Sequence, residues 1–385
     1  MASPSWFSGI GLREWGTLPN SNFDSAGVIQ TSPNGGTGVW NFWGGAILNT
    51  QGVYVGATFI AGSFLVMFGG GHTDYGGNEL YAYGPIESSS PQCYRLRDRT
   101  SPFPQNVAED GSGNPVSRHI YSGIAYISGG GRNWMMCAGG LFRYTDSNVV
   151  PYFHYYDFNV ASPNTNQPWA RPSTQITAGH TAGNACVYDS AAGTLWFHPD
   201  AQNSLATYSV TGNTYQRVIH KSPPGINGDT ASAFDPTRGI WAMWSSTNGI
   251  CFFRTNNVNN DYYVPSTSGT APTSQTGSIV YDEALDCFIV WTGGQTLYRL
   301  TPPATNPYQG GNAWVWSSET PSGGGTPSTK QGNGTFGRFS RVSSAECQGY
   351  ILSNDYDESI YFFRTGAVVA GGPPKGGLML LGAGG

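Results

Sequence analysis

Short apolar runs separated by Gly-rich and Asn-Gly turns fill this chain, and no amphipathic helical stretch of useful length interrupts them. That pattern predicts many short strands joined by tight turns. One unit recurs: an aromatic residue, often followed by Asp, then a short turn, then an apolar strand. It reads Tyr188-Asp189 before LWF, Phe234-Asp235 before IWAMW and Tyr281-Asp282 before CFIVW. The three aromatics stand 46 and 47 residues apart, the spacing of one four-stranded propeller blade of about 40–50 residues. Degenerate copies place Phe59 before FLVMFGGG, Tyr126 before WMMCAGG and Val342 before YILSN. Six landmarks predict six blades, with insertions at 98–116 and 317–333.

Each unit has a third strand: ELYAY (79–83), FHYYD (153–157), LATY (205–208), ICFF (250–253), TLYRL (296–300) and IYFF (360–363). A fourth strand carries an aromatic residue, namely Tyr94, Trp169, Tyr215, Tyr263 and Trp316. The sixth unit has no such strand after Phe363. The missing one stands at the other end of the chain, in REWGTL (13–18), with Trp15 in the aromatic role. The expectation is an all-β, six-bladed propeller over 1–365, closed by an N-terminal strand, followed by a Gly-rich apolar tail over 366–385. Closure of this kind removes a free join between the first and last blades.

A Gly-Gly pair ending the second strand, then Tyr in the third and Trp in the fourth, resembles the kelch repeat of the galactose-oxidase-like propellers. FGGGHTDYGGNELYAY (68–83), SRHIYSG (117–123) and NGTFGRFSRV (333–342) are similar to segments of kelch-like propellers of bacteria and tailed bacteriophages. The likeness is clearest in the first two blades. Blades three and four lack the Gly pair.

Strand parity puts the loops between strands two and three on the same face as the loops between blades. His72, Asp74, Tyr75, Arg118, His119, His180, Asp229 and Arg338 all fall on that face, near the axis. Two readings stand side by side. The residues form a polar pocket at the channel mouth suited to a sugar or carboxylate, or they lock blades together by bonding loop backbones.

Charge narrows the function classes. Charged residues make up 11%, the net charge is −5, and Lys221, Lys330 and Lys375 are the only lysines. With no basic stripe, nucleic acid is not expected as a partner. No apolar run reaches the roughly 20 residues that span a bilayer, and the N-terminus lacks the form of a secretory signal. The six cysteines form no CxxC pair, so they read as free strand thiols with neither zinc nor disulfide. Neither metal nor cofactor is expected. The galactose-oxidase resemblance implies a copper site, but the Tyr-His dipeptide it calls for is missing. Sialidase turns are missing too. A pair of glycoside-cleaving carboxylates, such as Asp74 with Asp229, remains open.

The tail holds Leu378, Met379, Leu380 and Leu381 among glycines, and short runs of this type resemble the tails of phage structural proteins. The leading expectation is a non-enzymatic virion-associated protein, made in the host cytoplasm and part of a larger assembly. It joins other virion proteins through this tail and serves either as a structural part or as an adhesin for a host surface glycan. The alternative is a bacterial kelch-like enzyme acting on glycans.

Overall fold

The computed structural model describes residues 2–29, 40–41, 45–46, 55–60, 64–69, 78–100, 108–118, 120–138, 141–142, 148–149, 152–159, 167–176, 184–199, 204–219, 230–245, 249–256, 262–274, 277–308, 312–329, 335–355 and 357–367. Its strands form six small antiparallel sheets arranged as a six-bladed β-propeller. Blade one is Val55–Ile60, Phe64–Gly69, Leu80–Gly84 and Gln92–Arg97. Blade two is Ile124–Gly129, Arg132–Ala138 and Phe153–Asp157, with its fourth position marked by a two-way backbone pairing of Tyr155 with Ala170. Blade three is Asn184–Asp189, Thr194–Pro199, Ser204–Ser209 and Thr214–Ile219. Blade four is Thr230–Asp235, Ile240–Ser245, Gly249–Arg254 and Tyr262–Tyr263.

Blade five is Ser278–Asp282, Cys287–Trp291, Leu297–Thr301 and Trp314–Glu319. Blade six is Phe339–Ser343, Gln348–Leu352 and Tyr361–Arg364, completed by Trp15–Thr17. That last strand runs antiparallel to Tyr361–Arg364 with Trp15 opposite Phe363, so the N-terminal closure expected from the missing sixth aromatic strand is present. The innermost strands touch in order around the ring, and that of blade six returns to that of blade one.

The second strand of each blade is largely apolar because both of its faces pack against neighbouring blades. Side chains alternate sides along a strand. In blade one, Leu65 and Met67 pack toward blade six, while Val66 and Phe68 pack toward blade two. Six separate apolar clusters result, one at each junction between neighbouring blades. All six cysteines are buried free thiols in or beside these clusters.

The recurrent aromatic-Asp landmark has a local cause. The Asp accepts backbone N–H bonds inside the hairpin between strands one and two. Asp189 caps Ala191 and Ala192, Asp235 caps Arg238, and Asp282 caps Ala284 and Leu285. Four residues after each Asp the chain turns left-handed, at Gly193 (φ 62°), Gly239 (φ 63°) and Asp286 (φ 49°). Asp at the last of these fits, since short polar side chains tolerate that region best after Gly.

Features beyond the sequence expectation include two short two-stranded pairings, Trp40–Asn41 with Gly45–Ala46 and Leu141–Phe142 with Asn148–Val149. Thr267–Gly269 adds a fifth strand to blade five, parallel to Trp314–Glu319. A helical turn, Ser5–Ser8, precedes the closing strand. Phe7 from it, with Ile10, Leu18 and Phe23 further along, is buried at the junction of blades six and one.

Candidate functional site

Of the eight channel-mouth candidates, Arg118 and Arg338 lie among the described residues. His72, Asp74, Tyr75, His119, His180 and Asp229 lie outside them. The tail residues Leu378, Met379, Leu380 and Leu381 also lie outside them.

Arg118 and Arg338 are 0% exposed, which leaves neither a surface to offer a ligand in this structure. The lock reading describes the contacts they make. Arg338 ends a short 3-10 turn, Phe336–Arg338, at the entry to blade six. Its Nη1 donates to the Asn354 carbonyl at 2.7 Å and its Nε to the Thr335 carbonyl at 3.2 Å. The Asn354 amide in turn donates to the Thr329 carbonyl. The guanidinium therefore joins the entry loop of blade six to the loop between its second and third strands. Burial pulls its pKa down to about 10, still fully charged at neutral pH.

Arg118 enters a longer chain. The insertion before it is pinned by Asp110, which accepts backbone N–H bonds from Ser112 and Asn114 and side-chain bonds from Thr100 and Asn114. Ser117 then bonds the Gly69 carbonyl of blade one at 2.6 Å. The next residue, Arg118, sets its guanidinium 5.9 Å from the Phe68 ring centre and its Nη2 2.8 Å from His154 Nδ1. Arginine can only donate, so His154 Nδ1 must accept, and its ring is the neutral Nε2–H form. That N–H donates to Glu109 Oε1 at 2.7 Å. Arg171 Nε lies 3.4 Å from the same oxygen, and its guanidinium lies over the Tyr152 ring at 4.2 Å.

The series runs from a fully buried cation to the surface. The Glu109 side chain is 15% exposed and that of Arg171 is 42%. Burial raises the Glu109 pKa, but the bond and electrostatic pull of His154 and the charges of Arg171 and Arg118 together outweigh it and hold it below its usual range. His154 is pushed down to about 4, first by burial and then by Arg118.

Glu109, Tyr152, His154 and Arg171 were not singled out in the sequence. The available signal was a histidine inside the aromatic strand FHYYD, where a buried imidazole needs partners.

These shifts predict a pH dependence. His154 and His198 are both held near 4 by burial, against about 6.5 when unfolded. The unfolded chain binds their protons first as pH falls, so their contribution to stability is present above about 6.5 and is lost toward 4. Each is worth on the order of 3 kcal/mol at most. Glu79 works the other way. Burial holds its carboxyl up to about 7, so its contribution is present below about 4.5 and is lost as pH rises through 7. Two groups against one leave a net loss of stability on acidification from pH 6.5 to 4. Denaturant titrations across that range should show it, with a shallower slope in His154→Gln. Stability that is flat or rising toward pH 4 in the wild type would contradict the assignment.

No protein-family model matches the chain, and no curated protein matches it. Among solved structures, the fold is similar to the major allergen Mala s 1 of Malassezia sympodialis at 11% identity. That match has a TM-score of 0.48 and covers 80% of this chain and 91% of the allergen. It is also similar to a functionally unknown protein from Desulfotomaculum acetoxidans, at 13% identity and a TM-score of 0.45, covering 86% and 88% of the two chains. A third is an auxiliary nutrient binding protein from Bacteroides thetaiotaomicron, at 10% identity and a TM-score of 0.44, covering 84% and 75%. At identities this low, neither activity nor ligand carries over to this chain.

Proposed function

We propose that this chain is a kelch-like propeller that binds rather than catalyses: a virion-associated protein of a tailed bacteriophage that presents its loop face to a host surface glycan. The observation that carries the binding reading is the half-exposed Arg171–Tyr152 pair beside Glu109, anchored from below by His154 and Arg118. An aromatic face, a guanidinium fork and a carboxylate recognise sugar rings, acidic substituents and hydroxyls. The anchoring fixes their orientation before a ligand arrives, which lowers the entropy cost of binding. His154 does not suit proton shuttling, because both ring nitrogens are engaged and its pKa lies near 4. The virion assignment rests on the resemblance of residues 68–83 and 117–123 to kelch-like phage propellers and on the apolar run Leu378–Leu381.

The experiment is titration of host surface polysaccharide into the full chain. Arg171→Ala is expected to keep the wild-type melting temperature, since the side chain is 42% exposed. It should weaken binding by roughly 1.5–3 kcal/mol, the worth of a hydrogen bond to a charged group. Undiminished binding by Arg171→Ala would remove the loop face from the proposal.

One observation favours the enzymatic alternative. A carboxyl held near pH 7, as burial holds that of Glu79, is poised for general-acid chemistry. Glu79 is 1% exposed, however, which keeps it from direct contact with a substrate in this structure. Glycan turnover by the full chain would establish that reading in place of the first.

A further inference from the structure

The inner strands of blades two to six line an open-mouthed cavity of about 270 Å³ at the propeller axis. By liquid volume it has room for about nine waters, or for one hexose. Ser122, Ser232 and Ser340 line it, together with Arg341, Phe234 and Phe339. Glu283 stands where the cavity meets the turns between strands one and two.

Two of these groups have bonding capacity that the described residues leave unused. Ser122 is buried, and its hydroxyl has no hydrogen-bond partner among the described residues. Its backbone is engaged, with its carbonyl accepting the Cys186 N–H at 2.9 Å. Arg341 sets Nε against Asp282 at 2.9 Å and donates Nη1–H to the Val342 carbonyl. Its Nη2 makes no hydrogen bond among the described residues. Ser232 and Ser340 spend their O–H groups on the Cys186 and Gly337 carbonyls, which leaves their lone pairs to accept. The wall thus offers donors and acceptors in mixture, with two phenylalanines, Phe234 and Phe339, in the lining.

Charge selects among ligand classes. Asp282 already neutralises Arg341, and Glu283 adds a further negative charge, so an anion gains little here. A simple cation would leave the free Arg341 and Ser122 donors unmet. A neutral polyol both donates and accepts through the same hydroxyls, and its C–H faces stack on aromatic rings. We propose that the axial cavity binds one neutral polyhydroxylated molecule of hexose size, held by Ser122 and Arg341. This site uses none of Glu109, Tyr152 or Arg171 and is independent of the loop-face reading.

The test is calorimetric titration of the full chain with D-glucose, D-galactose, D-mannose and myo-inositol, with D-gluconate as the charged control. At least one neutral probe is expected to bind saturably, one per chain. Ser122→Ala removes only an unpartnered hydroxyl, so it should melt no lower than wild type and bind about five- to tenfold more weakly. Arg341→Gln should weaken binding at least as much, and Arg171→Ala should leave it unchanged. The proposal is overturned if no neutral probe binds, if gluconate binds more tightly than every neutral probe, or if Ser122→Ala binds like wild type. It is also overturned if Arg171→Ala abolishes the binding, which would place the saccharide on the loop face. A Tm rise that is linear in sugar and equal in wild type and Ser122→Ala is solvent exclusion and counts against it.

Discussion

Removing residues 1–18 should leave a chain that does not fold to a soluble propeller. The segment supplies the outermost strand of blade six, bonded on both sides. Arg13 N–H reaches the Arg364 carbonyl and Leu18 N–H the Ile360 carbonyl, while the Trp15 carbonyl accepts Gly325 N–H. Trp15 is 1% exposed and donates its indole N–H to the Gln295 carbonyl of blade five. Its ring lies 5.3 Å from that of Phe363. Phe7, Ile10 and Leu18 fill the junction between blades six and one.

Four large side chains at about 1.5–3 kcal/mol each amount to roughly 6–12 kcal/mol, against a typical total stability of about 5–15 kcal/mol. The deletion also bares Tyr361–Arg364 as an aromatic edge strand, which invites aggregation. Trp15→Ala alone should cost about 3–5 kcal/mol, read as a lower denaturant midpoint. A soluble 19–385 chain with the wild-type melting temperature would show that the ring closes without this strand.

The second large effect is expected from Arg118→Ala combined with Arg338→Ala. Each removes a fully buried cation whose partners stay behind. His154 Nδ1 loses its donor in one case, and the Asn354 and Thr335 carbonyls lose theirs in the other. Leaving a buried acceptor unpaired costs about 1–3 kcal/mol, and the two substitutions together leave at least three such acceptors. The two sites sit in different blades and their described partners differ, so their effects should add. The double variant should be largely unfolded, each single variant folded but destabilised. Urea titration of all three decides between the two roles considered for these arginines. A double variant that melts like wild type yet loses a ligand would restore them to a binding site.

Much of the architecture was legible before any coordinates. The landmarks Tyr188-Asp189, Phe234-Asp235 and Tyr281-Asp282 were readable because the hairpin that they build is local. The Asp caps backbone within three residues, and the left-handed position follows at a set offset. Third strands such as FHYYD and fourth-strand aromatics such as Tyr94 and Trp316 followed from the blade period. Trp15 as the closing strand followed from counting: one aromatic strand was missing at one end and present at the other. Thr267–Gly269 was not legible, because a three-residue polar strand held by backbone bonds alone leaves no side-chain pattern.

The functional residues divide the same way. Chain order and turn chemistry alone determined that this protein is a ring of six blades and which face gathers the loops before Arg118 and Arg338. Only the tertiary structure shows which groups those arginines touch. Arg118 meets His154 across 36 positions of sequence, and His154 meets Glu109 across 45. Ser122 and Arg341 come to one axial cavity from blades two and six. Local patterning records how each strand turns and which side it buries. It holds no record of which side chains from separate strands converge, because that depends on how six rigid blades pack around a common axis.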